Sequence, residues 1–280
     1  MSSNRERPDQ YIGVSGVVSP AQQDEIESFA ELLNLDRSYI RLALGVKAVH
    51  KTQFLDVTNS YGTEWYPVGE VPFANALRQR DEDGLSMGIA QTYFDPEHVD
   101  NPGYRTYFSD RIFRRGERWI DGIQFDLLPW HEKPEMLSFL TQLKAKYGKK
   151  ILLQCHNDAM EALGPRVAAR RLEEYADVVD YVLFDASHGT GARLNTDALL
   201  PFLDEVYAKP ELETTGFAIA GGLDAEVVEA SLPTVLAEFP DISWDAEGRL
   251  HPINERNVRP LDMGMVRDYL KMSRDVLERS

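Results

Sequence analysis

The chain has 280 residues, 43% of them hydrophobic and 27% charged, with a formal net charge of -16. That composition supplies a sizeable core, offers no broad basic face for nucleic-acid phosphates, and contains no apolar run near the ~20 residues that span a bilayer. The polar start MSSNRERPDQ lacks the apolar stretch of a secretory signal, so a cytoplasmic protein with no membrane or nucleic-acid partner is expected.

Short apolar runs alternate with amphipathic stretches along the whole chain. YIGVSGVV (11–18) reads as the first strand, and Ser19-Pro20 supplies an N-cap with proline at the first helical position. The second strand is RLALGVKAV (41–49). Weak periodicity marks an expanded region over 51–83, whose helix is placed at 71–80. LSMGIAQTYF (85–94), IDGIQFDLL (120–128) and KKILLQC (149–155) give strands three to five, with helices at 110–119 and 135–148 and Gly148 as the stop. A helix at 165–176 then leads to DYVLFDAS (180–187). Asn195 or Thr196 caps the next helix, TGFAIAGGL (215–223) is strand seven, and Pro233 is expected to break or kink the helix after it. DISWDA (241–246) is strand eight, and 265–278 is the last helix.

Eight β-then-α units with continuously apolar strands predict a buried parallel sheet closed as a (β/α)8 TIM barrel, in one domain over 1–280. Chemistry in such a barrel lies in the loops after the strands. The lone cysteine, Cys155, excludes an intrachain disulfide and reads as a buried small residue. His131-Glu132 and His156 with Asp158 lack a closed metal-ligand spacing, and no Walker, Rossmann or Ser-His-Asp signature is present. Neither a metal nor a cofactor is therefore expected.

Two segments point to a ligand. In AIAGGLDAEVV (218–228), Gly221 and Gly222 lie between a strand and a helix, either as an ordinary tight turn or as a site where backbone amides and the helix dipole favour an anion. In LFDASHGTGARLN (183–195), Asp185 ends an apolar strand, where it is suited either to general-acid work or to accepting hydrogen bonds from the glycine-rich loop that follows, a loop able to wrap a ligand.

With IDGIQFD and YIGVSGV, these segments resemble the phosphoribosylanthranilate isomerase family of tryptophan biosynthesis. That family is a (β/α)8 barrel that carries out a cofactor-free Amadori rearrangement of a phosphorylated aminosugar. The resemblance implies Asp185 as general acid. It implies ligand contacts from Gln124, from His188, Gly189, Thr190 and Gly191, and from Gly221 and Gly222. On strand eight it implies contacts from Ser243, Asp245 and Glu247. It is loose across 40–115.

Two positions depart from the family pattern. Ser15 stands where the family has its basic cysteine, and a serine hydroxyl is too weak an acid to supply a base unaided. Trp244-Asp245 replaces a phosphate-contacting Ser-Gly, so either Asp245 points away and Gly248 or Arg249 serves, or the ligand is not a phosphate monoester. His156 and Asp126 are the alternative bases, and the simpler reading of His156 is a loop histidine satisfied by backbone. Lys47 is a Schiff-base candidate whose simpler reading is a lysine paired with a carboxylate. Three readings stay open: an isomerase of this type acting on a small phosphosugar, a diverged barrel enzyme on another sugar-like or carboxylated metabolite with Trp244 as a stacking surface, and a non-catalytic phosphosugar binder.

Overall fold

A computed structural model of the chain describes residues 6–35, 40–49, 76–78, 84–94, 97–185, 193–253 and 260–280. Eight parallel strands close into a barrel in chain order. They are β1 (Tyr11–Ser15), β2 (Arg41–Val49), β3 (Ser86–Tyr93), β4 (Gly122–Phe125), β5 (Lys150–His156), β6 (Tyr181–Asp185), β7 (Gly216–Ala220) and β8 (Ser243–Ala246). Closure comes from β1 pairing with β8, with Ile12 opposite Trp244 and Gly13 opposite Asp245.

The described helices are α1 (Pro20–Leu32), α2 (Pro102–Gly116), α3 (Glu135–Tyr147), α4 (Asn157–Glu173), α5 (Thr196–Tyr207), α6 (Ala225–Glu238) and α7 (Met263–Leu277). Among the described residues no helix is long and apolar enough to cross a membrane. Side-chain caps start most of them. Ser19, Asn195, Asp224 and Asp262 each accept a backbone N–H of the first turn. Gly148 ends α3 in the left-handed region at φ 64°, with nothing within 4 Å of where a Cβ would sit. Gly148→Ala is therefore expected to cost about 1 kcal/mol through backbone conformation alone. A chemical-denaturation midpoint equal to that of the parent would contradict this.

Several boundaries differ from the sequence expectation. α2 begins eight residues earlier than read, because Asn101 caps it and Pro102 occupies its first position. α4 begins at Asn157 and is kinked at Gly164, which takes φ 67° just before Pro165. Pro233 lies inside α6, which runs on to Glu238. Most of the helix placed at 71–80 lies outside the described residues, although Ala76 and Leu77 are buried.

Strand alternation sorts the side chains into two cores. Outward residues such as Val14, Leu44, Phe125, Cys155 and Trp244 pack in one large apolar cluster that takes in the helices. Burial pushes the Cys155 thiol well up, which leaves it inert as a nucleophile. Inward residues Tyr11, Met87, Ile89, Leu152, Tyr181 and Leu183 belong to a second, smaller apolar cluster in the barrel interior. Above these the inward positions turn polar.

Candidate active site

The inward register continues by twos: Gly13 and Ser15 on β1, Gly45 and Lys47 on β2, Gln91 and Tyr93 on β3, Gln124 and Asp126 on β4. Gln154 and His156 on β5, Asp185 on β6, and Asp245 and Glu247 on β8 complete it. A pleated strand sends every second side chain to the same face, so a strand that fills the barrel near its start supplies the mouth at its C-terminal end.

The lower part of this polar region is a closed hydrogen-bonded group. Ser15 Oγ donates toward Asp245, lying 3.0 and 3.1 Å from its two carboxyl oxygens, and accepts from Gln91 Nε2 at 2.5 Å. His251 Nε2 lies 2.9 Å from the Ser15 carbonyl. The group fits because two strands carry no side chain beside it. A Cβ on Gly13 would come within 2.6 Å of Asp245 Oδ1, and one on Gly45 within 2.5 Å of Ser15 Oγ. Burial first, then the charges of Glu247, Asp126 and Asp185, push the Asp245 carboxyl up to about 8, against the opposing hydrogen bond from Ser15. Asp245 is thus protonated at neutral pH.

The upper part surrounds Lys47, a lysine only 4% exposed. Its ammonium is paired with Glu247, lies 3.4 Å from the Tyr93 hydroxyl, and sits over the Tyr93 ring. Asp126 is held by Gln124, whose Nε2 donates to Oδ1 at 2.6 Å, and takes a further hydrogen bond from Tyr93; among the described residues its Oδ2 has no close partner. Burial pushes the Asp126 carboxyl up to about 7. Gln124, Tyr93 and Lys47 pull against that shift, and Glu247 adds to it. Across the barrel, Gln154 Nε2 donates to Asp185 Oδ2 at 3.0 Å.

The structure brings Ser15, Gln124, Asp126, Asp185, Asp245 and Glu247 to this end of the barrel, and confirms Lys47 as a paired lysine. Other expectations are corrected. Asp245 does not point away; it faces the interior and meets Ser15. Trp244 offers no stacking surface for a ligand, because alternation turns it outward. It is 0% exposed and its Nε1 donates to Ser273 on α7. Ser243 lies one inward step below Asp245, where its Oγ accepts the Tyr11 N–H, so it is not at the mouth. His156 follows the simpler of its two readings: it ends β5, and its Nδ1 accepts the Ala159 N–H as the cap of α4.

Gly221 and Gly222 both take positive φ, 111° and 60°, as a tight turn after β7 requires. In that turn Asp224 Oδ1 accepts the Val227 N–H, and Asp224 Oδ2 is paired with Arg249. His188, Gly189, Thr190 and Gly191 lie outside the described residues. Gln91 and Gln154 escaped the sequence reading. Counting back by two from Tyr93 and His156 would have found them, since inward positions repeat at that spacing.

No protein-family model matches the sequence, and no curated protein matches it. Solved structures share the fold. An octameric ribulose-1,5-bisphosphate carboxylase/oxygenase from Pyrococcus horikoshii OT3 superposes with a TM-score of 0.53 at 15% identity, covering 96% of this chain and 59% of that one. The chain therefore spans somewhat over half the length of that enzyme. A phosphoribosylanthranilate isomerase from Thermotoga maritima superposes with a TM-score of 0.52 at 10% identity, covering 95% of this chain and 98% of that one. At such identities the likeness is one of fold: the chain is a TIM barrel, related in architecture to enzymes of different activities.

Proposed function

We propose that the chain is an acid–base enzyme that isomerises a small polyhydroxylated amino sugar by an Amadori-type, aldose-to-ketose proton transfer. The observation that carries this reading is Asp126: a buried carboxyl pushed up to about 7 despite hydrogen bonds from Gln124 and Tyr93, beside Lys47 at the C-terminal end of the barrel. A group titrating near the working pH is suited to take up and return a proton. Asp185 is the general acid. It protonates the ring oxygen as the C1–O bond breaks and the nitrogen lone pair forms a C1=N iminium. Asp126 then removes the C2 proton, giving the enolamine. Lys47 steadies the carboxylate that does so. Ser15, tied to both Gln91 and Asp245, has no part in that proton transfer.

The test is solvent-deuterium exchange followed by proton NMR, over aldoses, ketoses and N-glycosides with and without a terminal phosphate, phosphoribosylanthranilate included. Wild type is expected to place deuterium at C2 or C1 of at least one of them. Asp126→Asn should lower that rate by about a hundred- to ten-thousand-fold, and Asp185→Asn should block net isomerisation. Exchange with none of the panel overturns the reading. Rescue of a tryptophan auxotroph lacking its isomerase would identify the phosphoribosyl substrate specifically.

A further inference from the structure

We propose that Tyr93 is the positioning residue of this site: its hydroxyl joins the Lys47–Glu247 pair on one side to Asp126 on the other, and so holds Asp126 ready to take a proton. The inference rests on the proton-transfer reading for the task Asp126 performs; the link itself stands on how β2, β3 and β4 pack.

Tyr93 is the last residue of β3, which lies between β2 and β4. It stands opposite Val49, one inward step above Gln91, the partner of Lys47. On the other side, the Asp126 N–H donates to the Thr92 carbonyl at 3.2 Å, which sets Asp126 level with Tyr93. The half-buried Tyr93 ring therefore fills the inward position between the lysine of β2 and the carboxylate of β4. Lys47 reaches up by one inward step. Its Nζ is paired with Glu247, lies 3.4 Å from the Tyr93 hydroxyl, and sits 5.0 Å from the ring centroid. The hydroxyl in turn donates to Asp126.

A phenol has one proton to give and lone pairs to receive with. Accepting from an ammonium and donating to a carboxylate uses both in one direction. The cation polarises the hydroxyl and makes it a better donor to Asp126. Asp126 needs that support. Burial and the charge of Glu247 favour its neutral form, and Asp245 faces the same interior. On the β5 side the inward residues are otherwise engaged: Gln154 donates to Asp185, and His156 caps α4. Gln124 also donates to Asp126, but as a neutral amide on the same strand. Tyr93 differs in bringing the effect of the β2 lysine to hydrogen-bond range.

Tyr93→Phe tests this, because it keeps the ring under the ammonium and removes only the hydroxyl. Carbon-13 NMR of protein labelled at its aspartate carboxyls follows the titration without any substrate, and Asp126→Asn assigns the signal. The Asp126 midpoint is expected to rise by about one pH unit in Tyr93→Phe. It should fall when Tyr93 is replaced by a ring-fluorinated tyrosine, a stronger donor of nearly the same shape. With a substrate found by deuterium exchange, kcat/KM of Tyr93→Phe should be about five-fold low at pH 7 and level with wild type above about pH 9. An unmoved midpoint, or a rate lowered equally at every pH, overturns the inference and leaves the isomerase reading intact. A raised midpoint in a protein that exchanges deuterium into none of the sugars sinks the isomerase reading and leaves the Tyr93 link standing.

Discussion

Asp245→Asn is expected to stabilise the protein, and to do so more strongly as the pH rises. In the folded chain Asp245 holds its proton up to about pH 8. In the unfolded chain it releases the proton near 3.9. Between those values the folded state binds a proton that the unfolded state does not, so stability is fully present below about pH 4 and falls as pH rises toward 8. The ceiling on that loss is on the order of 5 kcal/mol. Glu247, Asp126 and Asp185 share the buried field, and an amide will not match every hydrogen bond. The expected gain at pH 8 is therefore about 2–3 kcal/mol, or roughly 3–5 °C in Tm. Near pH 5 the gain should shrink to about 1 kcal/mol or less. Thermal melts of both proteins from pH 5 to 8.5 measure it. A difference that does not change with pH would show that Asp245 is ionised in the folded chain. A stabilised variant with reduced activity would fit a site that keeps an unfavourable acid because function needs it.

The barrel was legible because its signals are local and repeat. Apolar runs such as ILLQC and YVLFD, caps such as Ser19-Pro20 and Asn195, and the stop at Gly148 each act within a few residues. The mouth was partly legible, since a polar residue after an apolar strand is visible in a linear pattern: Asp126, Asp185 and Lys47 were found that way. What escaped depends on partners far apart in sequence. Asp245 and Ser15 are separated by 230 residues, and no local rule says whether a strand-eight acid faces a ligand or a serine. Trp244 and Asp245 are neighbours with opposite fates. Matching them to another family's loop hid that alternation turns one toward Ser273 and the other toward the barrel axis. Asp224 shows the same limit: its cap on α6 is a local signal, while its pairing with Arg249, 25 residues on, is not visible in the linear pattern.

Gly13→Ala is expected to be among the most damaging single-methyl additions in the barrel. Gly13 is an ordinary inward strand position without a positive φ, so conformational freedom is not why glycine is needed. Space is the reason. The new Cβ would lie 2.6 Å from Asp245 Oδ1, 2.7 Å from its Cγ and 2.9 Å from its Cβ, all below any tolerable contact. Asp245 has no slack to absorb the push, because Ser15 fixes its carboxyl and β8 is bonded to β1 at this level. Overpacking of this kind costs about 3 kcal/mol, or on the order of 5 °C in Tm. If the clash is the cause, removing the obstructing side chain must relieve it. Gly13→Ala combined with Asp245→Gly should then be less destabilised than the sum of the two single changes, with a coupling of about 2 kcal/mol. Strict additivity in denaturant unfolding, or a Gly13→Ala protein within about 0.5 kcal/mol of the parent, would mean that Asp245 is not packed against β1. The closed Ser15–Asp245–Gln91 group would then lose its geometric basis. The pairing of small residues at 13 and 45 with large polar ones at 91 and 245 is what lets a barrel of this size carry a layer of hydrogen-bonded groups beneath its mouth.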